Sequence, residues 1–229
     1  MKNITLYGGL LTMTVVLMAC TQPLPIPEPT LKPSAGPAIW GQISDWKGAT
    51  GKVELLASGT EQASVTNPVL STGEVSADGT FALSLPSLEA ITPHLAPADS
   101  LLSNNIDSLS SNNILSCKGS VNSSDISARG FAIRNLTASQ YTKVVKATPR
   151  GYNSITESSY TKIWVYMSSP TTLSGIINCT YIVQGDMIFS ALVDLNINLK
   201  QGWNIIEESD GADSKITTTV DGSVPWYIF

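Results

Sequence analysis

Few side chains in this 229-residue chain have the chemistry for catalysis, and their spacing keeps them apart. His94 is the single histidine, lying in a loop between Pro93 and Pro97. Alone, it cannot build a His/Cys zinc set, a Cys–His dyad or a Ser–His–Asp triad, and a solvated loop position is expected for it. Serines are plentiful, but no Gly-x-Ser-x-Gly elbow or phosphate-binding glycine loop occurs. Two facing carboxylates would suffice for glycoside hydrolysis. Glu207 and Glu208, however, are adjacent, and on a strand they point to opposite faces. Asp210-Gly211-Ala212-Asp213 follows them as an acidic hairpin tip. Asp210 and Asp213 could offer oxygen ligands to calcium, but without the twelve-residue loop spacing a solvated turn is expected. Among five tryptophans, Trp164 lies two residues from Tyr166, so the two share a strand face and are candidates for stacking a sugar ring. Core packing is the commoner use of such aromatics. These residues give no reason to expect an enzyme or a resident cofactor.

The position with the most defined chemistry is Cys20, and the elements around it form the start of the chain. Lys2 precedes an apolar run from Ile4 to Met18, shorter than the about 20 residues a spanning helix needs and suited to an export signal. The run ends in Leu17-Met18-Ala19-Cys20, which resembles the bacterial lipobox. That resemblance implies cleavage after Ala19 and acyl chains, such as palmitate, on Cys20; two or more chains hold a protein stably where one does not. Thr21 stands where an Asp would resemble an inner-membrane retention signal, which favours the outer membrane in a diderm cell. Residues 20–37 then carry Pro23, Pro25, Pro27, Pro29, Pro33 and Pro37. Prolines at this density exclude helix and central strand, leaving an extended polyproline tether of about 3.1 Å per residue. No basic anchor accompanies it, so a spacer is expected rather than a docking motif.

Composition narrows the function classes. There are 13 Lys+Arg against 18 Asp+Glu, a net charge of -5, and losing Lys2 with the leader makes the mature chain more acidic. Nucleic acid, which needs clustered cations against phosphate, is excluded as a partner. The body has no electrostatic attraction to anionic lipid, so membrane attachment falls to Cys20. Cys117 and Cys179 remain; in an exported chain a disulfide between them is expected. It would close a loop of about 60 residues and be worth about 4 kcal/mol.

From Ala38 onward the pattern is short alternating runs broken by turn residues. Ile39–Ile43, Lys52–Leu56 and Phe81–Leu85 read as strands, with Phe81, Leu83 and Leu85 on one face. Asp78-Gly79 between β-patterned runs predicts a two-residue type I′ hairpin. The series Gly41-Gln42-Ile43, Gly51-Lys52-Val53 and Asp78-Gly79-Thr80-Phe81-Ala82-Leu83-Ser84-Leu85-Pro86 resembles small β-sandwich modules of the transthyretin-like, carboxypeptidase-regulatory type. With Leu199-Lys200-Gln201-Gly202-Trp203-Asn204 later in the chain, the whole also resembles uncharacterised envelope lipoproteins of Deinococcus-type bacteria, a resemblance that implies no activity. Prolines and Ser/Asn-rich sequence follow, with a short helical turn expected over Pro97–Leu102. Strands then resume at Gly130–Ile133, Tyr141–Ala147, Tyr160–Met167, Gly175–Val183, Met187–Leu199, Trp203–Glu207 and Ile216–Val220, and the apolar end Pro225–Phe229 is expected to join a sheet.

The chain therefore reads as all-β, with two small antiparallel β-sandwich-like modules after a signal peptide (1–19) and a lipidated cysteine with its tether (20–37). The modules span 38–90 and 117–229, with a connector at 91–116. The expected role is an exported, lipid-anchored protein of the cell envelope, at the outer membrane or cell surface. There it would act as a structural or protein-interaction subunit beside another envelope or surface-layer protein. The alternative is a carbohydrate-binding module for cell-wall or surface polysaccharide.

Overall fold

The structure, a computed structural model, is described for residues 37–57, 67–103, 114–140, 143–154, 158–183, 187–210 and 215–228. Cys20, the leader, the tether up to residue 36, and Asp213 lie outside these residues. The chain is all-β, and among the described residues fifteen strands are hydrogen-bonded into one continuous, folded-over sheet.

The strands are β1 (Ala38–Gln42), β2 (Gly51–Leu56), β3 (Val69–Val75), β4 (Thr80–Ser84), β5 (Ala96–Pro97), β6 (Ile114–Ser123), β7 (Arg129–Ile133), β8 (Leu136–Gln140) and β9 (Lys143–Asn153). They continue as β10 (Ser158–Met167), β11 (Thr171–Val183), β12 (Met187–Leu199), β13 (Gly202–Asp210), β14 (Lys215–Thr219) and β15 (Trp226–Ile228). Two single-turn helices, α1 (Leu88–Ile91) and α2 (Ser100–Ser103), sit between β4 and β6. The Ser87 hydroxyl caps α1 by accepting from the Ala90 N–H at 3.3 Å.

The N-terminal strands do not close on one another alone. Their order is β1-β4-β3-β2-β8-β9, and β15 pairs with β9. A parallel bridge between Ile43 and Trp226 returns the ring to β1, reinforced by the Ser44 N–H donating to the Trp226 carbonyl at 2.7 Å. Seven strands thus form a closed barrel that removes sheet edges. Alternation fills it: Ile39, Val53, Leu55, Val75, Phe81, Leu83, Leu136, Ala138, Ala147 and Trp226 are buried in one cluster. At Gly41 the missing side chain makes room for the Trp226 indole, which a Cβ would overlap.

The β3–β4 turn differs from the two-residue hairpin expected at Asp78-Gly79. The Gly79 N–H donates to the Ser76 carbonyl at 2.9 Å, the Ser76 N–H donates to the Thr80 carbonyl at 2.8 Å, and among the turn residues only Gly79 has a positive φ (86°). This is a three-residue loop closed by a glycine bulge. Asp78 selects it, because its carboxylate accepts from both the Thr80 N–H (3.0 Å) and the Thr80 hydroxyl (2.7 Å). The same two bonds hold the Asp78 carboxyl below its ordinary pKa.

The second cluster lies between β6-β11-β12 and a sheet containing β7, β10, β13 and β14, with Leu173, Ile177, Val193, Leu195, Ile197 and Leu199 facing Ile163, Val165, Met167, Ile206 and Ile216. The described part of the connector, 91–103, is packed into both clusters: Ile91 enters the barrel core, whereas Ala98, Leu101 and Leu102 enter the other.

Strand β10 is the wall shared by both cores. Its odd residues Ile163, Val165 and Met167 face the sandwich, while Trp164 faces the barrel. One edge pairs with β13 throughout. The other edge forks, pairing with β7 at Trp164–Met167 and with β9 at Ser158–Thr161. This double burial explains why Ile163–Met167 carries no charged side chain.

Candidate functional site

Most of the aromatic candidates proved to be core. Trp164 is only 1% exposed and stacks on Trp226 with centroids 5.7 Å apart, while Phe81 meets Trp226 edge-on at 5.4 Å. Trp164 is therefore core and no platform for a sugar, which removes it from the stacking candidates. Its strand faces a second core where a half-buried sheet would have left it in solvent. Tyr166 is half-buried against Trp203 at 5.6 Å, which leaves no open stacking face shared with Trp164.

The charged residues of β13 divide as adjacent strand positions must. Glu207 lies on the barrel side, 3.9 Å from the Lys162 Nζ. Glu208 lies on the other side, 3.5 Å from an Arg134 nitrogen, in a pair where both side chains are nearly buried. Arg134 occupies the fork where β7 leaves β10 and β9 takes over, which places a cation inside the body. Neither carboxylate faces the other.

Lys162 carries the best-satisfied buried charge. Its ammonium donates to the carbonyls of Asp221 (2.8 Å) and Ser223 (2.7 Å) and to the Asp221 carboxylate at 3.3 Å. It also lies 5.8 Å from the Tyr160 ring centroid. These bonds tie the 220–225 segment, and with it Trp226, to β10. Burial, followed by the charges of Glu207, Asp221 and Tyr227, raises the Tyr160 hydroxyl above its ordinary pKa.

Other candidates fall apart in space. His94 is half-buried in a 3-10 turn at Thr92–His94. Asp210 pairs across β13 with Ser159 through its backbone, and its side chain, like Asp213, lies outside the description. Among the described residues no three His, Cys, Asp or Glu side chains come together to hold a metal. Cys117 and Cys179 stand directly opposite one another on β6 and β11. Directly paired antiparallel positions have Cα atoms about 4.5–5.5 Å apart, inside the range a disulfide spans; the sulfur positions are outside the description.

Two surface features were not legible in the sequence. A groove of about 260 Å³ opens where β15, β9 and β10 meet, lined by Arg150, Gly151, Tyr152, Ser159 and Tyr227. A second hollow, about 320 Å³ and polar, lies where β12 and β14 separate after the single bridge Asp194–Lys215. Tyrosines on an outward strand face give a sequence signal only once the pairing is known.

Comparison with known proteins finds no family model, no curated protein and no solved structure that matches this chain.

Proposed function

We propose that this protein is a cell-envelope lipoprotein, held to a membrane through Cys20 and its proline-rich tether, whose β body is an interaction subunit for another envelope protein. The single observation that carries the interaction reading is the edge at β6. This ten-residue strand ends the sheet order and pairs only with β11 among the described residues. Lys118, Gly119, Ser120 and Asn122 along it are exposed. A long unpaired edge is a template for strand addition by another chain, in contrast to the closed ring of the barrel. The lipobox resemblance supports the attachment, and the Cys117–Cys179 register supports a disulfide that would staple the edge strand to its neighbour.

Two measurements test the reading. Incorporation of a labelled fatty acid and retention in the membrane pellet should both be lost in Cys20→Ala; retention of label in that variant would refute the anchor. A photo-crosslinking residue at Ser120, on the β6 edge, should capture one protein species in intact envelopes, whereas one at Leu88, exposed on α1 and away from β6 in the chain, should not. Equal capture from both positions would count against β6 as the contact.

A further inference from the structure

The outward face of β9 differs from the rest of this acidic chain. By strand alternation it presents Val144, Lys146, Thr148, Arg150 and Tyr152. Their directly paired neighbours on β8, β15 and β10 are Ser139, Thr137, Tyr227, Thr161 and Ser159; acids stand one strand further away, where β13 sets Glu208, paired with Arg134, opposite Thr161 and Asp210 opposite Ser159. At one end this strip deepens into the groove of about 260 Å³ lined by Arg150, Gly151, Tyr152, Ser159 and Tyr227. Both tyrosines are open, Tyr152 at 63% and Tyr227 at 38% exposure. The Tyr160 ring packs against Gly151. Arg150 is exposed, and none of the ion pairs among the described residues involves it.

We infer that this groove binds an acidic saccharide, with a sugar ring resting on Tyr152 or Tyr227 and its carboxylate taken by Arg150. The chemistry fits part by part. Exposed tyrosine rings offer flat apolar faces with a polar tip, suited to the C–H face of a pyranose. A guanidinium pairs with a planar carboxylate through two parallel N–H donors. The Ser159 hydroxyl adds a donor and acceptor for ring hydroxyls. The volume is just below the range of about 300–1,000 Å³ for drug-sized pockets, which suits one ring of a chain that continues along the surface. A net charge of -5 opposes a dense polyphosphate, which sets a uronate-bearing sugar ahead of nucleic acid. This site is separate from the β6 edge, so each reading can fail without the other.

The test is a titration of the full chain in detergent with a galacturonic acid tetramer, a neutral galactose tetramer and single-stranded DNA of matched length. The acidic tetramer should bind at least tenfold more tightly than the neutral one. Arg150→Ala should remove that preference, Arg150→Lys should restore part of it, and Tyr152→Ala should weaken both sugars without changing the melting temperature. No binding of the acidic tetramer, equal binding of the two sugars, an unchanged preference in Arg150→Ala, or tighter binding of the DNA would each overturn the assignment.

Discussion

Replacing Trp226 with Ala tests whether the two cores are thermodynamically one body. Trp226 is fully buried, stacks on Trp164 of the shared strand and closes the barrel through its backbone. A tryptophan side chain buries about 200 Å², which at about 25 cal/mol per Å² gives about 5 kcal/mol, an upper figure because the unfolded chain is itself partly collapsed. Large-to-small changes of this kind cost about 3–5 kcal/mol, so about 4 kcal/mol is expected. With a urea dependence of about 2.5 kcal/mol per molar, the midpoint should fall by about 1.6 M. The discriminating partner is Leu195→Ala, on β12 in the other core, expected to cost about 2–5 kcal/mol. Because β10 faces both clusters, either substitution should move one common transition, read equally by tryptophan fluorescence and by backbone circular dichroism. Two separate transitions, or a fluorescence midpoint unmoved by Leu195→Ala, would refute the shared-wall argument.

Four further outcomes follow from the contacts described. Lys162→Met keeps the apolar stem but strands the carbonyls of Asp221 and Ser223; a loss of about 2–4 kcal/mol is expected, and an unchanged thermal midpoint would mean the staple contributes nothing. The raised Tyr160 hydroxyl keeps its proton in the folded state while the unfolded chain begins to lose it near 10.0, so this group lowers stability as pH rises from there towards the folded value. Tyr160→Phe should flatten that part of the alkaline limb in melts between about pH 9 and 11. Asp125 has its carboxyl lowered by bonds from the Ser127 and Ser169 hydroxyls, so its contribution is present above 3.8 and disappears as pH falls through the lower folded value; Asp125→Asn should give a shallower acid limb in the same assay. Thiol labelling of denatured, unreduced protein should find Cys117 and Cys179 unreactive, and two reactive thiols would end the disulfide reading.

Strand existence was legible wherever alternation was strong. Val193, Leu195, Ile197 and Leu199 announce β12, and Phe81 and Leu83 announce β4, because one face of each is dry and the other wet. Strand β6 gave no signal: Lys118, Gly119, Ser120 and Asn122 are exposed edge residues, and among the described side chains of β6 only Val121 is buried. Strand β8 was equally quiet, since Leu136 and Ala138 alone point inward. Pairing was the larger gap. No local pattern reveals that β8, β9 and β15 complete a barrel begun at Ala38, and without that knowledge Trp164 looks like half of an exposed pair. The groove at Arg150 was hidden for the same reason. Its residues come from β9, β10 and β15, and only the pairing makes them neighbours.

The parallel bridge from Ile43 to Trp226 has a consequence for how the chain is made. The barrel's first strand is among the earliest synthesised parts of the body, and the strand that closes it is among the last. Domains generally fold as units from the N-terminus during synthesis, but here β1 can pair with β4 at once while the ring stays open at Ile43 until Trp226 arrives. Until those residues emerge, the apolar faces of β1 to β4 have no finished core to enter. A nascent chain of this design keeps its barrel open until the last strand is made, whereas the second core, complete by Ile216, does not wait for it.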